Sequence, residues 1–414
     1  MRTSVTLLAT AFLLLASATR LTAQPPGGKG PVDLPPEAVG AAEGAGAFGL
    51  DLYRNLAARD GNLFLSPLSV SAVLSMAYAG AGGKTAEAFE RTLIRLPGGS
   101  AEPLGAWKTL EDSLSAAAEG SELSIAGSLW PEKSAALKRG YLRSVERAFG
   151  ARIFPQDFAK GGDAPRQAIN SWASRETKGK VKELLGGPLP PDTRLVLANA
   201  VYFKGGWRDT FDPEATAGGT FHAAGGGKIK ARFMKRTGPY GYLEDSLGQV
   251  LELPYSGRRL AMLVLLPGNA KDGMERLAGS LDWPALSKRL EGLATEQVEA
   301  SLPRFSVSWG TESLREALDA LGLGPAFAPD ADFSRMSGEP LKISDVLHQA
   351  FVDVTEEGTE AAAASAAVVV RSAHLPSGKP RIFKADRPFV FLIRERETGA
   401  ILFIGRLSEP AGES

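Results

Sequence analysis

Apolar residues recur with two different periods along the chain, and the two periods lie mainly in different halves. In the first half the spacing is helical: Phe48, Leu52 and Leu56 recur every four residues, which lines one face of a helix. Serine caps and the same periodicity predict further helices from Ser66 or Ser69 to about Ala79, from Thr85 to Leu93, and around Ala168, Ile169, Trp172 and Ala173.

Short apolar runs rich in β-branched and aromatic residues dominate the second half, a composition typical of buried strands. The runs fall at 195–203, 250–254, 260–266, 298–302, 351–354, 389–393 and 401–404. Because helices come mostly first and strands mostly later, without strict alternation, the pattern predicts an α+β fold with large mixed or antiparallel sheets.

The N-terminus is similar to a secretory signal peptide over residues 1–23. It has an apolar run at 5–16 followed by small residues, with Ala18 and Ala23 as candidate cleavage points. This run is too short to span a bilayer as a stable helix. An uncleaved anchor or a misassigned start of the chain is the alternative. We therefore expect an extracytoplasmic protein, either secreted or periplasmic.

Residues 24–46 are rich in Pro, Gly and Ala, so we predict a flexible leader there, because such a composition buries little side-chain surface. No comparable linker and no repeat of fixed period follows. The remainder, 47–410, is predicted to be a single domain.

Composition and charge exclude several classes of function. The chain has 47 Lys plus Arg and 47 Asp plus Glu, so its net charge is zero, and neither nucleic acid nor a membrane surface is indicated as a partner. With no Cys and three His, thiolate chemistry, disulfides and Cys-ligated metals are excluded, and no His pair has metal-binding spacing. We expect no metal and no cofactor.

Motifs for enzyme chemistry are also missing. Gly83-Lys84-Thr85 ends like a phosphate-binding loop, but the required first glycine would fall at Tyr78. No G-x-S-x-G elbow occurs around any serine. His348 stands among apolar neighbours, which favours a buried, hydrogen-bonded histidine over a general base. The sequence therefore predicts a protein that is not an enzyme.

The segment from Val354 to Arg371 reads V-T-E-E-G-T-E-A-A-A-A-S-A-A-V-V-V-R, and its local preferences conflict. The alanines favour helix, the valines favour strand, and Gly358 gives a pliable point. A surface helix followed by an edge strand is one interpretation; a two-state element is the other. As a strand, the segment would present small side chains on one face: Thr359, Ala361, Ala363, Ser365, Ala367 and Val369.

Seven ordered motifs over most of the chain resemble the serpin family. They include the hinge-like E-E-G-T-E-A-A-A-A and the family signature that follows a serpin reactive loop. The full set lies at 62–69, 81–85, 197–207, 302–305, 356–364, 383–391 and 403–407. The resemblance implies a serpin fold of three β-sheets and eight or nine helices, with an exposed reactive-centre loop at about 356–382.

The resemblance also implies a function. Serpins are suicide substrates: a serine or cysteine protease cleaves the loop, forms a covalent acyl-enzyme, and is trapped when the loop inserts into the main sheet, a known case of strand addition. We expect a monomer whose partner is this target protease. The alternative is a non-inhibitory serpin with a binding or chaperone-like role, in which bulky, charged or proline residues commonly occupy the hinge.

Site residues are carried over from the family motifs position by position. The implied hinge consists of Glu356, Glu357, Gly358, Thr359, Glu360, Ala361, Ala362, Ala363 and Ala364. The implied shutter, a polar cluster beneath the main sheet, consists of Ser66, Ser69, Asn199 and His348. Trp207 matches the tryptophan of the breach, where the loop first enters the sheet.

The scissile bond has three candidates. Counting the usual spacing from Glu356 places it between Ser372 and Ala373. One residue fewer gives the bond after Arg371, which suits a trypsin-like protease because arginine pairs with an acidic pocket. Counting back from the C-terminal side points near His374.

Overall fold

The computed structural model describes residues 35–93, 103–118, 121–150, 152–160, 162–269, 271–359 and 379–410. The predicted signal peptide, the hinge beyond Thr359, and the candidate cleavage residues Arg371, Ser372, Ala373 and His374 lie outside these ranges.

Within the described residues there are ten α-helices, most of them in the first half as the periodicity predicts. They are α1 (Pro36–Leu56), α2 (Pro67–Tyr78), α3 (Gly83–Leu93), α4 (Pro103–Ala117), α5 (Arg139–Phe149), α6 (Ala164–Glu176), α7 (Gly273–Gly279), α8 (Trp283–Glu291), α9 (Arg315–Leu318) and α10 (Gly324–Phe327). The last two are single turns on either side of a π-helical segment, 319–323, that is kinked at Gly322. With these two counted as one, there are nine α-helical regions in the described residues. None of the described helices is long and apolar enough to cross a membrane.

Fourteen strands complete the described part of the chain, and every predicted strand run lies in one of them. They are β1 (Leu63–Leu65), β2 (Ser121–Pro131), β3 (Leu195–Gly206), β4 (Ala217–His222), β5 (Lys228–Asp245), β6 (Gly248–Pro254), β7 (Leu260–Pro267), β8 (Ala294–Pro303), β9 (Phe305–Ser313), β10 (Asp345–Val354), β11 (Gly358–Thr359), β12 (Arg381–Lys384), β13 (Phe389–Glu395) and β14 (Ile401–Leu407). The α+β prediction is confirmed.

The strands form a nine-stranded and a five-stranded sheet. The larger sheet has the order β1-β14-β13-β7-β6-β5-β8-β12, with β4 also paired to β5. Strand β5 is 18 residues long; its start pairs with β4, its middle with β8 and its end with β6. The expected three sheets therefore correspond to the five-stranded sheet and to two parts of the larger one, which share β5.

The five-stranded sheet has the order β2-β3-β11-β10-β9. Residues 196–201 of β3 pair directly and in parallel with residues 345–350 of β10. Toward the other end of β3, the short β11 lies between these two strands. The sheet thus opens at one end only.

Each face of the five-stranded sheet is covered. On one face Val201 and Phe203 pack in a core with Phe391 and Phe403 of the larger sheet. On the other face Ala198 and its neighbours pack against α6, where Trp130 and Trp172 meet edge-to-face with ring centroids 6.0 Å apart. A strand added to this sheet must therefore fit side chains into a packed core.

The leader predicted for residues 24–46 is wrong from Pro36 onward, because α1 begins there and its first turns are largely buried. Small residues that suggested disorder instead allow close helix packing. A Cβ on Gly46 would lie 2.4 Å from the ring of Trp283 in α8, and one on Gly49 would lie 2.1 Å from Pro67 of α2. The folded domain therefore starts before residue 47.

This packing predicts that Gly46→Val lowers the free energy of unfolding by about 1–3 kcal/mol, because the added side chain must displace Trp283. Ala47→Val, at a half-buried neighbouring position of the same helix, is the matched control and should have a much smaller effect. Chemical unfolding midpoints measure both. A Gly46→Val midpoint equal to wild type would contradict the packed helix.

Candidate functional site

The hinge enters the five-stranded sheet as the two-residue strand β11. Thr359 pairs in antiparallel register with Gly205 of β3 on one side and with Val354 of β10 on the other. Its side chain is fully buried. The first residues of the loop are thus already a strand of the sheet, held between two partners that pair with each other further along.

Glycine is required at position 358 because two backbones approach closely there. Gly358 pairs with Gly206 and has φ +156°. A Cβ on Gly358 would lie 2.2 Å from the carbonyl oxygen of Gly205 and 2.7 Å from the Cα of Gly206. The pliability that the sequence suggests at Gly358 therefore has a steric reason.

Glu356 anchors the start of the hinge through a buried ion pair. Its carboxylate, which is fully buried, accepts hydrogen bonds from Arg304 Nε at 2.8 and 2.7 Å and from Thr216 Oγ1 at 2.5 Å. Its carbonyl accepts from the Phe211 N–H at 3.0 Å. Burial raises the pKa of the Glu356 carboxyl, but the hydrogen bonds from Arg304 and Thr216 outweigh it, so the pKa lies below its ordinary value.

Trp207 lies at the point where the hinge enters. Its Nε1–H donates to the carbonyl of Thr355 at 2.9 Å, and its backbone N–H donates to the carbonyl of Glu357 at 2.9 Å. The indole stacks on Tyr255 with ring centroids 4.6 Å apart. The Tyr255 hydroxyl in turn lies 2.6 Å from Thr359 Oγ1, so one aromatic pair contacts both ends of the turn that leads into β11.

The four shutter residues are brought together beneath the β3–β10 seam and are all fully buried. His348 lies directly opposite Asn199 in the parallel register. The His348 Nδ1–H donates to Asn199 Oδ1 at 2.7 Å, and Asn199 Nδ2 donates to Ser69 Oγ. Ser69 N–H donates to Ser66 Oγ at 3.3 Å. The cluster therefore ties β3 and β10 to each other and to the start of α2.

The hydrogen bonds of His348 select its neutral form. Its Nε2 accepts from the backbone N–H of Ser66 at 3.2 Å, so a second ring proton would face a donor. Burial lowers the pKa of His348 to about 3, because a charged imidazolium would lose its hydration. Such a histidine cannot serve as a general base near neutral pH, in agreement with its structural interpretation.

The remaining predicted site residues lie partly inside and partly outside the described residues. Glu357 accepts a hydrogen bond from the Thr355 hydroxyl at 2.9 Å and so belongs to the same turn. Glu360 and the hinge alanines at 361–364 lie outside the described residues. Among the residues that the structure describes, no group of three or more His, Asp or Glu is placed to hold a metal ion.

Sequence reasoning missed three partners of the hinge: Arg304, Thr216 and Tyr255. Arg304 lies in a quoted motif, L-P-R-F, but nothing in that motif shows its partner. Thr216 and Tyr255 lie 140 and 104 residues from the hinge residues that they contact. Only the folded chain shows these contacts.

The shutter predicts a specific loss of stability in acid. Above pH 6.5 His348 is neutral in both states. Below pH 6.5 this histidine binds a proton in the unfolded chain, whereas in the folded chain it stays neutral until about pH 3. The free energy of unfolding therefore falls by about 1.4 kcal/mol per pH unit over that window. His348→Gln should remove this contribution, about 2 kcal/mol between pH 7 and pH 5.

Unfolding midpoints measured from pH 7 to pH 5 test this expectation. His222→Gln replaces an exposed histidine and should keep the wild-type slope. Parallel stability curves for His348→Gln and wild type would contradict the assignment.

Comparison with known proteins agrees with this geometry. The family model for Serpin (serine protease inhibitor) matches residues 43–410. An uncharacterized serpin-like protein of Thermococcus kodakarensis is 40% identical over 367 residues, covering 88% of this chain and 84% of the relative. The leukocyte elastase inhibitor of Bos taurus is 37% identical over 374 residues, covering 88% of this chain and 97% of that protein.

Solved structures agree as well. The complex of thyroxine-binding globulin with thyroxine superposes with a TM-score of 0.78 at 29% identity, covering 90% of this chain and 99% of that one. Given the family match across most of its length, this chain belongs to the serpin family.

Proposed function

We propose that this serpin inhibits a serine-type endopeptidase as a suicide substrate, by inserting its cleaved loop into the five-stranded sheet. The single observation that carries the proposal is β11, a hinge strand already paired on both sides. Insertion then needs no new entry point. It extends an existing strand into the seam between β3 and β10.

The register of β11 predicts which residues would lie opposite each other after insertion. Thr359 pairs with Gly205 and Val354, so six residues further on Ser365 would lie between Asn199 and His348. A serine there could hydrogen-bond the two shutter side chains that insertion separates. The alternate residues facing the core would be the small ones, from Ala361 to Val369, which limits overpacking.

Insertion would replace one hydrogen-bonded ladder, between β3 and β10, with two. The six parallel pairs between β3 and β10 would be lost, and the new strand would pair antiparallel with both partners, the slightly more stable arrangement per residue. Backbone groups that face solvent in an exposed loop would enter a central strand. This free energy is what would carry the acyl-enzyme away from the loop's starting position and prevent deacylation.

Family membership alone does not decide between inhibition and binding, because one solved relative is a complex with thyroxine. The hinge favours inhibition. Thr359, Ala361 and Ala363 are small, and as alternate residues of the inserted strand they would face the core. Bulky or charged side chains at these positions, as in the hinges of non-inhibitory serpins, would not fit there.

Further parts of the proposal follow from the sequence. We expect cleavage of the bond between Ser372 and Ala373. The bond after Arg371 is the second candidate, and a bond near His374 is the third. The inhibitor acts as a monomer in a covalent complex, without cofactor, and outside the cytoplasm if residues 1–23 act as a signal peptide. Sequencing the C-terminal peptide released by elastase-, subtilisin- and trypsin-like enzymes identifies the bond.

We expect a target protease to form a complex that survives boiling in detergent, because the trapped species is an ester. Ala363→Arg should abolish it and leave only cleaved protein, since insertion in the register of β11 would bury an unpaired charge in the core next to Val201 at a cost of several kcal/mol. Glu360→Arg is the matched control. It adds the same side chain where the strand would face the opposite side of the sheet, level with the partly exposed Lys204 of β3, and it should still inhibit.

Gel electrophoresis after incubation with each protease separates complex from cleaved protein. Complete turnover of the wild type by every protease would contradict inhibition. Equal inhibition by wild type and Ala363→Arg would contradict insertion.

Cleavage of the loop should also stabilise the protein. A cut between about residues 366 and 374 frees the segment to pair as a central strand, with its hydrogen bonds and buried side chains. We expect the nicked form to melt higher than the intact form, by tens of degrees if the pairs form together. In most folds a cut loop leaves stability equal or lower, because the unfolded chain gains freedom. Thermal melts of the two forms test this expectation. A nicked form that melts no higher than the intact form would indicate a loop that does not insert.

A further inference from the structure

One face of β5 carries a row of positive charges. Lys228, Lys230 and Arg232 alternate along the strand and are all exposed, whereas Ala231 and Phe233 between and beyond them are buried. Alternate residues of a strand are about 6.8 Å apart. We call these three residues the β5 cation strip.

Within the described part of the chain, none of the three residues of the strip forms an ion pair, and the side chain of Arg232 makes one hydrogen bond, of 3.5 Å, to the Thr216 carbonyl. By contrast Arg236, further along β5, pairs with Asp209 at 3.8 Å. Because the whole chain has a net charge of zero, the strip is a local positive field and not part of a general one.

The β4–β5 hairpin that carries the strip contacts the chain on both sides of the reactive loop. At one end Thr216, just before β4, donates to Glu356 of the hinge. At the other end the His222 N–H, from the last residue of β4, donates to the carbonyl of Asp386 at 2.8 Å, just after β12. The strip therefore lies on the hairpin that joins the two anchor points of the loop.

We propose that the β5 cation strip is a docking surface for an acidic patch on the target protease. A protease that attacks a loop held at those two anchor points would come close to the hairpin between them. Three unpaired cations there would steer an acidic partner and raise its rate of association. This inference rests on the proposed function for the identity of the partner, but it concerns the encounter and not the trapping step. A polyanion is the other partner that such a strip could bind.

The test compares two trypsin isoforms, one anionic and one cationic, which share cleavage specificity and differ in surface charge. The readout is the second-order rate constant for attack on the loop, counted as complex plus cleaved protein. It is divided by the rate for a peptide of residues 366–378. Because cleavage counts whether or not the protease is trapped, failure of the proposed inhibition would not be mistaken for failure of docking.

The triple variant Lys228→Gln, Lys230→Gln, Arg232→Gln should slow attack by anionic trypsin about tenfold at an ionic strength of about 0.01 M. Attack by cationic trypsin should fall less than about twofold, and the difference should vanish near 1 M salt. The matched control removes three exposed cations from α5, with Arg139→Gln, Arg143→Gln and Arg147→Gln, and should leave both rates unchanged.

Equal effects on the two isoforms, no effect on either, or an equal loss in the α5 control would overturn the proposal. So would heparin binding that depends on the strip while neither trypsin rate does, since a polyanion would then be the partner.

Discussion

The parallel pairing of β3 with β10 is the constraint on which the rest of the structure depends. It closes the five-stranded sheet along residues 345–350, whereas the short β11 lies between the same two strands toward the other end of β3. The buried cluster around His348 and Asn199 holds this seam from below, and the Glu356 ion pair holds the hinge in the gap above it. Each contact is local, yet together they fix β3, β10, the start of α2 and the first residues of the hinge relative to one another.

Elements whose own residues form a clear apolar pattern were predictable from the sequence. Elements that depend on the neighbours against which they pack were not. Strands such as β7 (Leu260–Pro267) are buried throughout and read as unbroken apolar runs. Strand β5 was missed because its outward positions are charged at one end and its middle contains Gly and Pro. The first turns of α1 were missed because small side chains signal either disorder or close packing, and only the partner, Trp283, distinguishes the two.

The site shows the same division. The hinge and shutter residues could be named from motifs, and the structure brings Ser66, Ser69, Asn199 and His348 together. Arg304 could not be assigned to Glu356 because the pair spans 52 residues of sequence, and no local pattern encodes such a contact. The β5 cation strip could not be predicted for a related reason: its three cations alternate with other residues along the chain, and only the strand places them on one face.

The two fixed ends of the loop also limit how far along the sheet the loop can reach. Filling the seam from Thr359 down to the level of Leu195, where β3 begins, would take the chain about 34 Å along the sheet and use residues up to 369. Only twelve residues then remain to reach Arg381, which is fixed to β8. Fully extended they span at most about 43 Å. An uncut loop that stays fixed at both ends could therefore insert only as far as this contour length allows, whereas hydrolysis of one peptide bond would give it a free end.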